Sequence, residues 1–350
     1  MNWQRKKLGE VIKLEYGKPL PKSQRKRNGL YPVYGANGEI DRSNKYYYSK
    51  KSIIVGRKGS AGELNLTEEK FWPLDVSYYV TFDDKLYDLK FIFNLLTTLE
   101  LPKLAKGVKP GINRNEVYAF DVKIPPLPEQ QRLVAILDKV FTAIATAKEN
   151  TEKNLRNTRE LFESYLQSIF ANSCKGWEKK NFEETIEKVT YTNKIQRKEF
   201  LESGKFPVVS QEKDLINGYW NDRNDIFKIK KPVIIFGDHT QILKYIDFDF
   251  VLGADGVKIL QPKDFLFPKF FYYLLKSINL KSLGYARHYR LFKEKQVLFP
   301  KSLPEQQCIV TKLDALSTET KKLEGIYQQK LSDLDELKKS ILQKAFDGEL

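Results

Sequence analysis

Two stretches of the chain carry apolar residues at alternating spacings of four and three positions, with polar residues between them. This spacing is typical of a coiled-coil seam and predicts two helices, each of roughly 40 residues and about 60 Å long. A proline followed by a glutamate, at Pro128 and at Pro304, marks the first turn of each helix, where proline's missing donor is not needed. The predicted seam positions are Leu133, Leu137, Val140, Ile144, Ala147, Thr151, Asn154, Thr158, Phe162, Tyr165 and Ile169 in the first helix, and Ile309, Leu313, Leu316, Thr320, Leu323, Tyr327, Lys330, Leu334, Leu337 and Ile341 in the second.

Each predicted helix exposes an apolar stripe that needs a partner. We expect the two helices to pair with each other, and a pseudo-two-fold axis across the seam makes them antiparallel. Asn154 and Lys330 occupy equivalent seam positions, where a polar residue weakens packing and helps to fix the register. The alternative is that each helix packs on its own module, which an amphipathic stripe also permits.

The segments before the two helices mix β-rich and helical patterns. Residues 52–55 and 232–236 are short β-rich runs that end at Gly56 and Gly237 and predict strands. Residues 91–101 and 270–280 predict helices at matching places. The sequence therefore predicts two mixed α/β modules of α+β class, separated by two long helices that form an antiparallel, pseudo-two-fold symmetric coiled coil.

The chain also repeats its own sequence. Pro128-Glu129-Gln130-Gln131 recurs as Pro304-Glu305-Gln306-Gln307, 176 residues later, and Tyr31-Pro32-Val33 resembles Phe206-Pro207-Val208. A unit of this length is too long for a solenoid repeat, whose period is about 20–50 residues. We therefore expect two copies of one module-plus-helix unit, with bounds at residues 1–127, 128–173, 174–303 and 304–350.

Charge separates the predicted modules from the predicted helices. The formal net charge is +15, yet residues 128–172 carry six basic and six acidic side chains, and residues 304–350 carry seven and nine. The rest of the chain therefore carries +17. Cationic modules on near-neutral helices favour a polyanionic partner, and DNA is the usual one.

Composition narrows the function further. Two cysteines, Cys174 and Cys308, and two histidines are too few and too scattered for a disulfide framework or a His/Cys metal centre, although carboxylates leave a Mg²⁺ site open. The cysteines are expected to be inert. No signal peptide and no membrane span is expected, so the sequence predicts a soluble, cytoplasmic protein without membrane contact.

Several basic or glycine-rich stretches have the residue types that contact DNA. Arginine reads guanine, asparagine and glutamine read adenine, and lysine and arginine hold phosphate. For any single residue the alternative is an ordinary solvated loop. The candidate DNA-binding residues are Lys22, Gln24, Arg25, Lys26, Arg27, Tyr34, Asn37, Arg57, Lys58, Lys109, Asn113 and Arg114 in the first module, and Gln211, His239, Gln241, Arg287, His288, Tyr289 and Arg290 in the second.

Catalytic motifs are missing from the sequence. Ile124-Pro125-Pro126-Leu127 lacks the acidic or amide residue that a DNA amino-methyltransferase places before its two prolines, so we interpret it as a rigid linker. Gly56, Gly59 and Gly62 are not followed by the Lys-Ser/Thr of a P-loop. We expect no catalytic and no metal-binding residues, and therefore partners that supply the chemistry.

The doubled helix motif resembles the specificity (S) subunit of type I restriction–modification systems. Leu127-Pro128-Glu129-Gln130-Gln131 with Leu137-Asp138, and Leu303-Pro304-Glu305-Gln306-Gln307 with Leu313-Asp314, carry the resemblance. The segments Tyr31–Gly38 and Ile54–Ser60 are similar to the target-recognition domains of that family. Ser210-Gln211-Glu212 departs from the Gly35-Ala36-Asn37 of the first module, so the base-reading loops of the second are less defined.

The resemblance implies a non-catalytic, sequence-specific DNA-binding subunit. Each target-recognition domain is expected to read one half of a bipartite, asymmetric site in double-stranded DNA, while the helices set the gap. Two methyltransferase (M) subunits using S-adenosylmethionine and two restriction (R) subunits using ATP and Mg²⁺ are the implied partners, so this chain binds no cofactor itself. The alternative function is a coiled-coil scaffold whose basic modules bind nucleic acid without sequence preference.

Overall fold

The computed structural model describes residues 3–171, 176–254, 256–284 and 286–350. The chain forms two compact units, one from Met1–Thr151 with Gln329–Leu350 and the other from Glu152–Gln328. Each unit contains one module and a segment of each long helix, so the units do not end at the boundaries of the helices. Cys174 and the predicted boundary between residues 173 and 174 lie outside the described residues.

The first module is built from three small sheets and three short helices. The sheets are a β1–β9 pair, a four-stranded β2-β8-β5-β6 sheet and a three-stranded β4-β3-β7 sheet. The helices are α1 (Leu8–Val11), α2 (Leu89–Thr98) and α3 (Arg114–Tyr118). The strands are β1 (Gln4–Lys7), β2 (Lys13–Tyr16), β3 (Tyr31–Gly35), β4 (Gly38–Ser43), β5 (Ser52–Gly56), β6 (Leu64–Thr67), β7 (Trp72–Pro73), β8 (Ser77–Thr81) and β9 (Asp121–Ile124), and the first long helix, α4 (Leu127–Ala171), follows them.

The second module repeats this plan with different details. Its sheets are a β10–β19 pair, a three-stranded β16-β15-β18 sheet and a sheet of order β11-β17-β12-β13 in which β14 also pairs with β17. The strands are β10 (Glu178–Asn181), β11 (Lys194–Ile195), β12 (Phe206–Val209), β13 (Gly218–Trp220), β14 (Ile226–Phe227), β15 (Val233–Gly237), β16 (Leu243–Ile246), β17 (Phe250–Gly253), β18 (Val257–Leu260) and β19 (Gln296–Phe299), and the helices are α5 (Pro268–Ser277), α6 (Tyr289–Lys293) and the second long helix, α7 (Leu303–Asp347).

The two predicted strands are confirmed as β5 and β15, which are interior strands of corresponding sheets and are buried. Both faces of each strand are covered, which explains their continuous apolar sequence. In β5, Ile53 and Val55 belong to one core cluster and Ile54 to another. In β15, Phe236 and Ile235 likewise lie in separate clusters. The two predicted short helices are also confirmed, as α2 and α5.

A buried glutamine fastens each long helix to its module. Gln130 is fully buried, and its amide oxygen accepts a hydrogen bond from the backbone N–H of Asp88 (2.9 Å) while its amide nitrogen donates to the carbonyls of Leu86 (3.1 Å) and Pro125 (2.9 Å). Its counterpart in the repeated Pro-Glu-Gln-Gln motif is Gln306, which is equally buried and bonds in the same way.

In the second unit, the amide oxygen of Gln306 accepts from the backbone N–H of Phe267 (2.7 Å), and its amide nitrogen donates to the carbonyls of Phe265 (2.9 Å) and Pro300 (2.8 Å). A single side chain thus satisfies three backbone groups at the start of α7, as Gln130 does at the start of α4. This shared role gives the sequence repeat a structural reason.

The long helices pair antiparallel within each unit. In the first unit, Leu137 packs with Leu342, and Lys148 forms an ion pair with Asp335 (2.7 Å), so α7 numbering falls as α4 numbering rises. In the second unit, Arg159 pairs with Glu324 (3.2 Å). Both helices also contribute to the module cores, so each of the two expected modes of packing is present.

Two of the polar positions predicted for the seam are not buried. Asn154 and Lys330 are both exposed, so the prediction that they fix the register from within the seam is wrong. The predicted seam positions Thr151, Thr158 and Thr320 are buried. Each threonine hydroxyl donates to the carbonyl four residues earlier, at 2.7 to 2.9 Å, which lets it enter an apolar seam without an unsatisfied group.

Candidate nucleic-acid interface

Two arginines of the first module converge on one exposed tyrosine. The guanidinium carbon of Arg57 lies 5.0 Å from the ring centroid of Tyr16, and that of Arg114 lies 5.1 Å from it. Tyr16 is the last residue of β2 and is 46% exposed. Cation–π contacts therefore hold two half-buried guanidinium groups against the same exposed ring.

The loops that carry these arginines are hydrogen-bonded to each other. The backbone N–H of Gly59 donates to the carbonyl of Pro110 (2.8 Å), and that of Ile112 donates to the carbonyl of Arg57 (3.1 Å). Arg57 also donates from Nη1 to the carbonyl of Asp75 (2.9 Å). Two separately predicted loops thus form one surface, which also presents the exposed ammonium groups of Lys58 and Lys109.

The hairpin between β3 and β4 lies beside this surface. Asn37 is exposed at its two-residue tip, between the paired glycines Gly35 and Gly38. A Cβ at Gly56, the glycine that ends β5, would lie 2.5 Å from the carbonyl oxygen of Ala36 and would also collide with that of Ser60. Glycine is therefore required at this position for the hairpin to approach Arg57 closely.

Tyr34 does not belong to this surface. It is only 8% exposed and packs edge-on against Phe71, with ring centroids 5.9 Å apart. Burial raises the pKa of its phenol. The prediction that Tyr34 contacts DNA is corrected accordingly, because its side chain points into the core of the β-hairpin layer.

Asn113 and Arg25 have structural partners that limit what they can contact. The amide oxygen of Asn113 caps α3 by accepting from the backbone N–H of Asn115 (2.9 Å), so it is not available for the two-bond pairing that reads adenine. Arg25 donates from Nε to the carbonyl of Leu20 (2.9 Å). The other members of this basic stretch, Lys22, Gln24, Lys26 and Arg27, are exposed on a loop anchored to β4 through the backbone of Lys26.

A buried aspartate organises the corresponding region of the second module. The carboxylate of Asp238 accepts from the backbone N–H of Tyr289 (2.7 Å), and its carbonyl accepts from the backbone N–H of His288 (2.8 Å). The backbone of residues 286–290 is thereby fixed to the end of β15. Arg287 and Arg290 are exposed on this fixed segment, and residue 285 lies outside the described residues.

His288 belongs to the core rather than to the surface. It is 1% exposed, its Nε2 accepts from the backbone N–H of Leu283 (3.0 Å), and its Nδ1 lies 2.9 Å from the carbonyl of Asp238. These partners require the proton on Nδ1 and leave no ring nitrogen for DNA. The prediction that His288 contacts DNA is therefore corrected.

Gln211, His239 and Gln241 are half-buried around the end of β15. The amide oxygen of Gln211 accepts from the backbone N–H of His239 (3.2 Å), and its carbonyl accepts from the hydroxyl of Thr240 (2.7 Å). Gln241 adopts a left-handed backbone conformation (φ 59°). Gln211 thus fixes the turn that follows β15, whereas Gln241 lies at the end of that turn, shortly before β16.

The sequence reasoning missed two tyrosines, Tyr16 and Tyr191, and two lysines, Lys194 and Lys258. Lys258 Nζ lies 5.5 Å from the ring centroid of Tyr289, which is one of the predicted DNA-binding residues. Burial raises the pKa of the Tyr289 phenol to about 12. Tyr191 carries Lys194 Nζ at 5.1 Å and accepts from the backbone N–H of Ile259 (3.1 Å). Tyr16 and Tyr191 are 175 residues apart, the offset of the repeat, which is the signal that could have identified them.

The described residues contain no group of three or more histidine, cysteine, aspartate or glutamate side chains that could hold a metal ion. Nor does any helix in the described ranges combine the length and apolar character needed to cross a membrane. Cys308 is exposed on α7.

Known proteins share this sequence pattern. The profile of the family described as the type I restriction modification DNA specificity domain matches residues 1–155 and again 174–331. The EcoprrI specificity subunit of Escherichia coli is 22% identical over 169 residues, which cover 45% of this chain and 42% of that protein. A putative type I restriction enzyme specificity subunit of Haemophilus influenzae is 29% identical over 147 residues, covering 40% and 38%. The matched region thus spans about two fifths of each relative's length.

Solved structures share the fold over almost the whole chain. A chain from a study of complex assembly in a type I restriction–modification system superposes with a TM-score of 0.78 at 18% identity, covering 99% of this chain and 98% of that one. The HsdS subunit from Thermoanaerobacter tengcongensis gives a TM-score of 0.58 at 17% identity, covering 99% and 97%. With both modules matched by the family profile and this fold in common, the chain belongs to the type I restriction–modification DNA specificity family, a family of non-catalytic subunits.

Proposed function

We propose that this chain reads a bipartite, asymmetric DNA site, with residues 1–127 and 174–303 as the two target-recognition domains. The observation that carries the proposal is that each module holds two cationic side chains against a tyrosine near the end of β5 or β15: Arg57 and Arg114 on Tyr16, and Lys258 and Lys293 on Tyr289. The side chains differ between the modules, so each would read a different half-site.

In the first module, Arg57 and Arg114 are the candidates for reading guanine, because a guanidinium group can pair with the O6 and N7 atoms of that base. Lys58 and Lys109 are exposed beside them and suit phosphate contacts. In the second module, Arg287 and Arg290 take the corresponding role. The assignment of Arg57 and Arg114 rests on their shared contact with Tyr16, and that of Arg287 and Arg290 on their exposure beside the end of β15.

The long helices would set the gap between the half-sites and dock two methyltransferase subunits. Exposed apolar side chains support the docking role, since Leu161 is 54% exposed, Ile326 51% and Leu337 46%, although all three lie on helices that already pair. The methyltransferase subunits would use S-adenosylmethionine, and two restriction subunits would use ATP and Mg²⁺, while this chain contributes sequence recognition.

Methylome sequencing of a host that expresses this chain with its methyltransferase tests the proposal. We expect methylated adenines in a split motif with two different half-sites and a fixed gap. A continuous or palindromic motif would contradict two different readers. Equal affinity of the purified complex for scrambled duplexes would instead favour the scaffold that binds nucleic acid without sequence preference.

A further inference from the structure

A cleft of about 550 Å³ lies in the second unit. Residues of β16, α5 and α7 line it. Its charged lining consists of one aspartate, Asp314, and five lysines, Lys213, Lys244, Lys269, Lys276 and Lys321. We refer to it as the lysine cleft.

The aspartate of the lysine cleft is already occupied. One carboxylate oxygen of Asp314 accepts from the hydroxyl of Tyr273 (2.6 Å), and the other pairs with Lys269 (3.0 Å). Asp314 therefore balances one lysine. Four cationic side chains remain in the lining without a carboxylate partner among the described lining residues.

Lys244 is the most deeply placed of these lysines. It is 5% exposed, and its ammonium group donates only to uncharged acceptors, Asn217 Oδ1 (2.9 Å) and the carbonyl of Asp214. Burial lowers the pKa of Lys244 to about 8. The carboxylates of Glu212 and Asp214 oppose this effect without cancelling it. A buried cation without a direct carboxylate partner is costly, and an anion bound beside it would lower that cost.

Lys276 and Lys321 extend the positive charge to the opening of the cleft. Burial, followed by the positive charge of Lys321, lowers the pKa of Lys276, and the carboxylates of Glu163 and Glu324 oppose this effect without cancelling it. Like charges that face one another repel, and an anion bound between them would offset that repulsion.

We propose that the lysine cleft binds a phosphate group. Several ammonium groups approach one space from two helices and a strand, and the hydroxyls of Ser317 and Tyr245 lie in the same lining. A phosphate offers more oxygens and more charge than a carboxylate, which matches four unbalanced lysines. The phosphate belongs either to the DNA backbone outside the bases being read or to a free nucleotide.

A paired set of variants of the full chain tests the site, with inorganic tripolyphosphate as the probe in calorimetry. Lys276→Gln/Lys321→Gln removes two exposed lysines of the cleft. Lys281→Gln/Lys322→Gln removes two exposed lysines that do not line it, at the same net charge. We expect saturable binding that is about tenfold weaker in the first variant and unchanged in the second. Equal binding by all three proteins, or no saturable binding, would overturn the proposal.

A second measurement identifies the source of the phosphate. If it is the DNA backbone, the Lys276→Gln/Lys321→Gln variant should lower the slope of log affinity against log salt by about 2, because each phosphate contact contributes about 1. If it is a free nucleotide, the slope should not change, and ATP should bind the wild-type chain but not this variant. The methylated motif stays the same in either case, so a failure here is distinct from a failure of base reading.

Discussion

At the scale of single residues, the buried glutamines have the clearest energetic consequence. Replacing Gln130 by leucine keeps the side chain's approximate size but removes the acceptor for the N–H of Asp88 and the donor for two carbonyls. Each buried backbone group left without a partner costs about 1–3 kcal/mol. We expect Gln130→Leu to lower the free energy of unfolding by about 3 kcal/mol or more in urea titrations.

The neighbouring glutamine provides the control for this substitution. Gln131 is exposed on the same turn of α4, so Gln131→Leu should change the unfolding free energy by no more than about 0.5 kcal/mol. The same contrast is expected between Gln306 and Gln307 in the second unit. Equal effects at both members of a pair would mean that the three hydrogen bonds do not hold the helix start.

Substitution of Tyr16 should affect DNA recognition rather than the stability of the fold. Tyr16→Ala removes the ring on which Arg57 and Arg114 lie, and each exposed cation–π contact contributes about 0.5–1 kcal/mol. We expect binding of a cognate duplex, measured by fluorescence anisotropy with the assembled methyltransferase, to weaken by about 1–2 kcal/mol. Tyr16→Phe keeps the ring and should bind like the wild type; if it binds as weakly as Tyr16→Ala, the stacking role is wrong.

The candidate site shows what a sequence can and cannot reveal about single residues. Arg57 and Arg114 were predicted separately and are brought together by Tyr16, which no local pattern marked. Tyr34 and His288 were predicted as surface residues but are buried. The prediction was wrong because the sequence around a tyrosine near a turn, or a histidine in a basic stretch, does not show whether the side chain faces inward or outward. Side-chain direction is set by tertiary packing, which composition does not record.

At the scale of secondary-structure elements, the pattern of apolar residues predicted more of the structure than it did for single side chains. The runs that became β5 and β15 are mostly apolar because both faces are buried, and α2 and α5 follow in matching places. The spacing of four and three predicted both long helices, yet it placed Tyr165 in the seam where Leu166 is buried. A helix that packs on its partner and on a module at once has more than one buried face, so a single seam cannot describe it.

If the paired helices set the gap between the half-sites, lengthening both helices should lengthen that gap. Duplicating residues 145–151 and 322–328 adds one heptad to each helix at the point where the chain passes from one compact unit to the other. Seven residues lengthen a helix by about 10 Å, which corresponds to about three base pairs. Methylome sequencing should then show both half-sites unchanged and a gap longer by about three base pairs.

Adding the heptad to one helix alone provides the control for the ruler. The ion pairs Lys148–Asp335 and Arg159–Glu324 could not both persist with a seven-residue mismatch, and the apolar seam would be out of register. That variant should therefore unfold at a lower temperature. A change in the half-sites themselves after the matched insertion would mean that the helices take part in reading bases.

At the scale of the whole molecule, charge and duplication separate two tasks. The long helices are close to neutral, whereas the rest of the chain carries +17. Each module belongs to its own compact unit with its own core. If the modules read independently, substitutions in different modules should act on different half-sites and should not influence each other.

A double-mutant cycle tests this independence. Arg57→Ala should remove discrimination in one half-site, and Arg290→Ala in the other, each at about 1–3 kcal/mol when the arginine pairs with guanine. The two losses should add within about 0.5 kcal/mol, because the residues share no partner and lie in separate units. Lys58→Ala should instead weaken binding to all duplexes alike and lower the salt slope by about 1, as expected for a phosphate contact. Binding of duplexes with one altered half-site measures each loss, and a coupling well above 0.5 kcal/mol would show that the modules read the site as one surface.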